Sequence, residues 1–519
     1  MGNKADISGN DLLRYWESDA DTDVILLYLE SFGNPKKFSE IARRVGRKKP
    51  IVVVKSGRSA AGARATSSHT GALIAASDVT VDALFRQAGV VRTDTLAELF
   101  DVASLLANQP LPRGSRVGII TNAGGPAILC ADACEARGLE VTVLSDDSQA
   151  RLREFLPAGA SVGNPVDMIA SAPAEHYRRA IEIIGNDANV DSLIVIFTPP
   201  LVTRADDVAS SIVEATQQID KDKPMLSVFL SAHEPPKQLR AGKACIPSYA
   251  FPETAAIALA RATRYRQWRE RHETYPPQFA DVSADEAAAV VAAALARGEG
   301  WLTPDEVANI CSCYGLPLIK QRVVSSVEDA AAAAAEMGGE IALKAIAPGL
   351  VHKTEAGGVR LHLTGAEAVR DAARQMSERL SAQGFVIQQM AKRGVEMLVG
   401  VVHDPQFGPV VACGAGGVQV ELLKDVSVRL TPLSNEDAAE MIRELKTYPL
   451  LRGFRGSVPC DVAALEDGLL RVSAMVEDLP QIAELDCNPF VVHDTGATIL
   501  DARIRVTSAE PRPLLGVRR

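Results

Sequence analysis

The stretch Arg116-Val-Gly-Ile-Ile-Thr121-Asn-Ala-Gly-Gly-Pro126 decides how this chain of 519 residues folds. Residues 117–121 read as an apolar strand, 122–126 as a tight turn and 127–137 as a helix. A strand that passes through a glycine turn into a helix opens an α/β unit with a parallel sheet. The rhythm continues with a strand at 140–144, a loop at Gly163-Asn-Pro-Val-Asp-Met168 and a helix at 174–184. A strand at 192–197, a helix at 206–218, a strand at 225–230 and a helix at 254–269 follow. Residues 113–270 therefore predict a complete doubly wound domain of flavodoxin type.

Upstream, the same alternation appears in shortened form. Residues 24–29 form a strand run ending at Glu30, 36–45 a helix, 51–54 a strand, 78–88 a helix, 90–91 a short strand and 96–107 a helix. No opening strand or glycine-rich first turn precedes them. Residues 1–112 thus predict an incomplete α/β domain with an open sheet edge near 24–29, a feature that promotes association or instability. Downstream, residues 271–300 carry Pro276-Pro277 and then an alanine-rich helix, and read as linker and helix. Residues 301–519 change rhythm. Helices at 305–314 and 327–337 and strands at 321–324, 341–346, 358–363, 385–389, 396–402, 410–413 and 498–504 predict an α+β domain.

Composition narrows the function. A formal net charge of -10 carries no nucleic-acid footprint. No apolar run approaches the roughly 20 residues that a membrane span needs, and the N-terminus is polar, so neither a membrane partner nor a signal peptide is expected. The 8 cysteines show no paired metal spacing and read as reduced thiols of a cytoplasmic protein.

Four stretches carry candidate chemistry. The first is Lys55-Ser-Gly-Arg-Ser-Ala-Ala-Gly-Ala-Arg-Ala-Thr-Ser-Ser-His69-Thr-Gly-Ala72, a small-residue loop with one imidazole. Small side chains let a loop move and approach a ligand closely. His69 is a candidate nucleophile, or a surface histidine. The second is the turn of Asn122, Ala123, Gly124 and Gly125, where free N–H groups and the positive end of a helix form either a phosphate cradle or merely a tight turn. The third combines Lys344, in an apolar strand, with His352 in the loop His352-Lys-Thr-Glu-Ala-Gly-Gly358. A lysine inside an apolar strand calls for a partner, and phosphate is a natural one, unless the lysine stands on an edge strand; His352 taken alone reads as an ordinary loop histidine. The fourth gathers Gln388, Glu396, the Gly414-Ala-Gly-Gly turn, Asp425 and Arg429, then Asp486, Asn488 and Asp501. Asp486 and Asn488 alternate along an extended segment and so share a face. With Asp501 they make either an oxygen-only set suited to magnesium held with nucleotide phosphates or a solvated acidic loop, the second disfavoured by the apolar flanks Ile482 and Leu500.

Taken in order, these stretches resemble the nucleoside-diphosphate-forming acyl-CoA synthetases, the superfamily of succinyl-CoA synthetase and ADP-forming acetyl-CoA synthetase. The resemblance implies two flavodoxin-like domains, the first incomplete, followed by an ATP-grasp domain. It implies that His69 carries a phosphoryl group, that Glu30 supports it, and that His352 is a second phosphate-carrying histidine. Residues 122–125 become the phosphate cradle, Lys344, Gln388 and Glu396 nucleotide-binding residues, and Asp486, Asn488 and Asp501 magnesium ligands. The implied reaction is acid + CoA + ATP = acyl-CoA + ADP + phosphate, with ATP/ADP, Mg2+ and coenzyme A as participants. The family normally begins with a Rossmann-type CoA-binding domain that this sequence does not show. A start upstream of Met1 is the first expectation; an oligomer or a partner subunit supplying that domain, or a natural truncation, are the others. A non-catalytic subunit or regulator on the same scaffold is the alternative.

Overall fold

The computed structural model describes residues 7–30, 32–56, 78–200, 202–230, 235–240, 245–272, 274–347, 357–404, 406–417 and 425–508. His69 and His352 lie outside them. The chain divides into two compact units, Met1–His272 and Glu273–Arg519.

The first unit holds two parallel sheets. In the first lobe, α1 (Gly9–Ser18), β1 (Ile25–Leu29), α2 (Pro35–Gly46), β2 (Ile51–Lys55), α3 (Asp78–Gln87), β3 (Val91–Thr93) and α4 (Leu96–Asn108) build the parallel sheet β1-β2-β3. Local chemistry sets the helix starts. Asn34 accepts the Lys37 N–H with Pro35 in the first turn, and Thr95 accepts the Glu98 N–H. The β2 run Ile51, Val52 and Val53 is fully buried, as a parallel strand covered on both faces must be. In contrast, among the described residues β1 pairs on one side only, and Leu26 and Tyr28 on one of its faces are 38% and 57% exposed.

The second lobe comprises β4 (Arg116–Thr121), α5 (Gly124–Glu135), β5 (Glu140–Val141), α6 (Asp146–Arg153), β6 (Val166–Asp167), α7 (Ala174–Gly185) and β7 (Ser192–Phe197). It continues through α8 (Ala205–Ala215), β8 (Met225–Phe229), β9 (Ser248–Tyr249) and α9 (Pro252–Glu270). Its sheet order is β5-β4-β7-β8-β9, with β6 added to the end of β4, and all these pairs are parallel. The chain reverses direction across the sheet between β4 and β7, which places a ligand crevice at their carboxyl ends.

Helix α9 locks the two lobes together. Its Tyr265 hydroxyl donates to the Gly46 carbonyl at 2.6 Å, and Arg47 donates to the carbonyls of Arg269 and Arg271 at 2.7 and 2.6 Å. The Trp268 indole lies over Gly89, where a Cβ would stand 2.3 Å from the ring and φ is +68°. Glycine is required there by both space and backbone. One apolar core runs through Val52, Val54 and Leu105 of the first lobe and Ile119, Leu259 and Tyr265 of the second.

The second unit is α+β. It begins with α10 (Ala284–Arg297), β10 (Gly300–Trp301) and α11 (Pro304–Cys313), the last opened by a Thr303–Glu306 capping box. A smaller antiparallel sheet, β11-β14-β12-β13, is made of β11 (Gln321–Val324), β12 (Glu340–Ile346), β13 (Val359–Thr364) and β14 (Gly384–Gln389). Helices α12 (Val327–Met337) and α13 (Gly365–Leu380) cover it. The larger sheet contains β15 (Val395–Asp404), β16 (Gly408–Ala415), β17 (Val426–Leu430), β18 (Ile482–Val492), β19 (Ala497–Ile499) and β20 (Ala502–Val506). Its order is β10-β20-β18-β15-β16-β17, with β19 on β18. Helices α14 (Asn435–Arg443), α15 (Tyr448–Leu451) and α16 (Val462–Asp478) precede β18. The alanine-rich α10 belongs to this unit's core through Ala287, Val291 and Ala294. The single strand expected at 498–504 is two strands, broken at Leu500 and Asp501. No helix among the described residues is long and apolar enough to cross a membrane.

Gly89→Ala should lower the stability of the first unit by about 2–4 kcal/mol, combining overpacking with left-handed strain. Gly159→Ala, where a Cβ meets nothing within 4 Å, should be neutral. Urea unfolding followed by tryptophan fluorescence compares the two.

Candidate functional site

In the first unit, the candidate residues gather where parallel strands end. Leu29 pairs with Lys55, so Glu30 follows the carboxyl end of β1 beside the carboxyl end of β2. The Lys55 ammonium is pushed below its ordinary pKa by burial, with Asp78 and Glu30 opposing the shift and Arg92 adding to it. The loop carrying His69 leaves from this point, after Ser56.

The turn 122–125 stands at the corresponding end of β4. Asn122 is buried, and its amide group bridges to the end of β7. Its Nδ2 donates to the Thr198 carbonyl and its Oδ1 accepts the Thr198 N–H, both at 2.8 Å. This pair holds the mouth of the crevice between β4 and β7. Ala123 caps α5 without any side-chain hydrogen bond, and Gly125 is exposed with nothing near its Cβ position. The Ala123 N–H donates to Thr121 Oγ1 at 3.0 Å, so the N–H groups that an anion could use are those of Gly124 and Gly125 at the start of α5.

In the second unit, side chains from the two sheets converge. Lys344 of β12 and Gln388 of β14 both donate to the Leu500 carbonyl, at 3.2 and 3.0 Å. Gln388 also donates to Gln321 of β11 at 2.7 Å. Leu500 lies in the break between β19 and β20, immediately before Asp501. The Asp501 carbonyl accepts the Asn488 N–H at 3.1 Å, and the Asn488 side chain accepts the Gly417 N–H at 3.1 Å. Gly417, with φ +60°, sits so close to Glu396 that a Cβ would lie 2.0 Å from its Oε2. Lys344, Gln388, Glu396, Asn488 and Asp501 thus form one connected arrangement.

Asp486 joins them from β18, two residues before Asn488 and paired in register with Arg503 of β20. Burial pushes its carboxyl above the usual range; Arg503 works against the shift, and Asp501 and Glu484 add to it. Among the described residues, no three His, Cys, Asp or Glu side chains converge as a ready metal cage. Two carboxylates and an amide oxygen fit a magnesium ion whose remaining ligands are phosphate oxygens and water.

Two residues grouped with the chemistry in the sequence serve the scaffold instead. Arg429 is buried and pairs with Glu444 at 2.9 Å and Glu440 at 3.7 Å. Burial opposes the charge of Asp425. Hydrogen bonds from the Lys446 N–H and from Thr447 nevertheless hold its carboxyl below the ordinary range. Sequence reading missed Gln321 and the Leu500 carbonyl. Gln321 looks like any exposed strand residue, and a backbone acceptor leaves no side-chain signal. It also passed over Thr198 and Asp167 at the crevice of the second lobe, although the Asn164-Pro-Val-Asp167 turn was visible.

Comparison with known proteins gives the class first. The family described as "Succinyl-CoA ligase like flavodoxin domain" matches residues 1–106, "Ligase-CoA domain" residues 117–273 and "ATP-grasp domain" residues 293–506. Two flavodoxin-type lobes and an ATP-grasp domain define an ATP-driven acid–thiol ligase. Acetate–CoA ligase [ADP-forming] I of Archaeoglobus fulgidus is 35% identical over 517 residues, covering 97% of this chain and 73% of the relative. The 4-hydroxybutyrate–CoA ligase [ADP-forming] of Nitrosopumilus maritimus is 34% identical over 515 residues, with the same coverage of 97% and 73%. A solved structure of dinucleotide forming acetyl-coenzyme A synthetase 1 from Ca. Korarchaeum cryptofilum, in complex with phosphate and ADP, is 30% identical. It covers 51% of this chain and 57% of that one at a TM-score of 0.48. The chain belongs to the family of ADP-forming acyl-CoA synthetases.

Arg429→Met should lower stability by roughly 3–5 kcal/mol, because it strands a partly buried carboxylate. In the protein that remains folded, the KM for ATP should be unchanged. Denaturant unfolding and steady-state kinetics on the same preparation read the two effects.

Proposed function

We propose that this protein converts a carboxylic acid, CoA and ATP reversibly to acyl-CoA, ADP and phosphate through phosphohistidine. The observation that carries the reading is the convergence of Lys344 and Gln388 on the carbonyl that precedes Asp501. It brings a cation and an amide of one sheet to the backbone immediately before Asp501 of the other, a placement that suits transfer from a nucleotide.

In this reading, residues 301–519 are the nucleotide side, with 271–300 leading into it. Lys344 neutralises phosphate charge, Gln388 and Glu396 orient the nucleotide, and Asp486, Asn488 and Asp501 hold magnesium. Bound there, magnesium supplies charge neutralisation at the phosphates. Residues 1–112 carry His69. Its neutral imidazole attacks the terminal phosphorus, forming the N–P bond as the bond to ADP breaks. Glu30 accepts the other ring N–H, which fixes the tautomer. His352 serves as a second carrier on the nucleotide side. Residues 113–270 receive the phosphoryl group, and within the 122–125 cradle the N–H groups of Gly124 and Gly125 stabilise its charge. The carboxylate of the acid then attacks phosphorus as the N–P bond breaks, giving an acyl phosphate, which CoA converts to the thioester as phosphate leaves. The open β1 edge supports association with a further polypeptide, either a second copy or a partner subunit that supplies a CoA-binding domain.

With γ-labelled ATP and magnesium, the wild-type protein should take up acid-labile, base-stable label, and His69→Ala should take up none. An unlabelled wild type, or equal label on both, defeats the reading and leaves a non-catalytic regulator. Light scattering should give a mass above that of the single chain, and Tyr28→Lys should reduce it by disrupting the β1 edge.

A further inference from the structure

Asp167 is the last residue of β6 and pairs with Thr121 at the carboxyl end of β4. The backbone fixes it on both sides. Its carbonyl accepts the Ser161 N–H at 2.9 Å, and the following Met168 N–H donates to the Thr121 carbonyl at 2.8 Å. The two carboxylate oxygens face different environments. Oδ1 accepts the Ile169 N–H at 3.0 Å. Oδ2 faces Gly124, the first residue of α5, where a Cβ would lie 3.1 Å from it. A Cβ at Gly124 would press on this oxygen and push it a few tenths of an ångström from the helix terminus. Ile169 holds a φ of 63°, which a β-branched side chain resists, so the turn that aims the carboxylate is kept against local strain.

The placement is electrostatically odd. On the reading above, the N-terminus of α5 receives a phosphoryl group, and a second anion beside it repels that group. Among the described residues, Asp167 forms no ion pair that would cancel its charge. A carboxylate kept there has a use if a proton must be taken up at that point. One step of the reaction releases such a proton: CoA arrives as a thiol and leaves as a thioester.

We propose that Asp167 is the proton acceptor of the thioester-forming step, a role that rests on α5 being the seat of the acyl phosphate. The sulfur lone pair forms the S–C bond while the carbon–oxygen bond to phosphate breaks and its electron pair leaves with phosphate. The thiol proton moves to Oδ2, the oxygen that Ile169 leaves uncommitted. It then passes to the departing phosphate, which leaves as hydrogen phosphate and restores the carboxylate. Acyl-phosphate formation from phosphohistidine and a carboxylate needs no such acceptor.

The two half-reactions therefore separate the roles. Asp167→Asn retains an oxygen for the Ile169 N–H and the same shape, so the turn is preserved while the proton acceptor is lost. With the full chain, acetate or 4-hydroxybutyrate, ATP and magnesium, hydroxylamine traps acyl phosphate as hydroxamate without CoA. Asp167→Asn should label His69 and form hydroxamate within twofold of wild type. With the polypeptide that supplies the CoA-binding domain present, its CoA-dependent acyl-CoA formation should fall at least 100-fold against wild type under the same conditions, the usual scale of general base catalysis. Unchanged acyl-CoA formation overturns the proposal. A parallel loss of hydroxamate also overturns it, and makes Asp167 a residue that positions the cradle. A wild type that neither labels His69 nor forms hydroxamate overturns the underlying reading instead, and the proposal with it.

Discussion

The nucleotide half of the protein depends on a backbone carbonyl. Leu500 lies where the chain leaves one strand and enters the next, so its oxygen is not committed to the sheet ladder. Lys344 and Gln388 reach it from the smaller sheet. A lysine in a largely buried strand requires an acceptor, and a carbonyl gives one without adding charge. The bond holds the ammonium at the backbone position immediately before Asp501. The rest of the cluster follows from the same break in the strand, through Asn488, Gly417 and Glu396.

The first unit solves a related problem with parallel strands. Its polar residues stand at the carboxyl ends of β1, β2, β4, β6 and β7, where the sheet no longer covers them. Asn122 shows how rigid the arrangement is, since one amide group satisfies both backbone groups of Thr198. The N-terminal N–H groups of α5 are then held at a fixed distance from the end of β7. Preorganisation of this kind lets a donor stabilise developing charge without reorganising during the reaction.

Much of this was legible in the sequence, for physical reasons. The strand–turn–helix at 116–126 and the alternation that follows gave the second lobe, because buried parallel strands are nearly pure Val, Ile and Leu. The period-2 placement of Asp486 and Asn488 put them on one face, and they lie on a single strand. Other elements were invisible. Strand β17 contains Arg429, whose charge made it look functional, yet it is sealed between β17 and α14 by Glu440 and Glu444. Helices α13 and α16 went unread, their cores hidden among small and charged residues, and Asp167 passed as one residue of a turn. A carboxylate's meaning depends on what faces it, and Gly124 is 43 residues away in sequence by position.

The indole of Trp268 resting on Gly89 and Gly46 also bears on how such a chain can be cut. The proline-marked stretch at 110–114 looks like a natural seam, but the surface on its near side is moulded to a helix that arrives some 150 residues later by position. A gene fission there would leave one product with a glycine-lined slot and the other with an aromatic side chain and no place to bury it. A chain divided at that stretch would have to bring its two lobes back together before Trp268 could be buried.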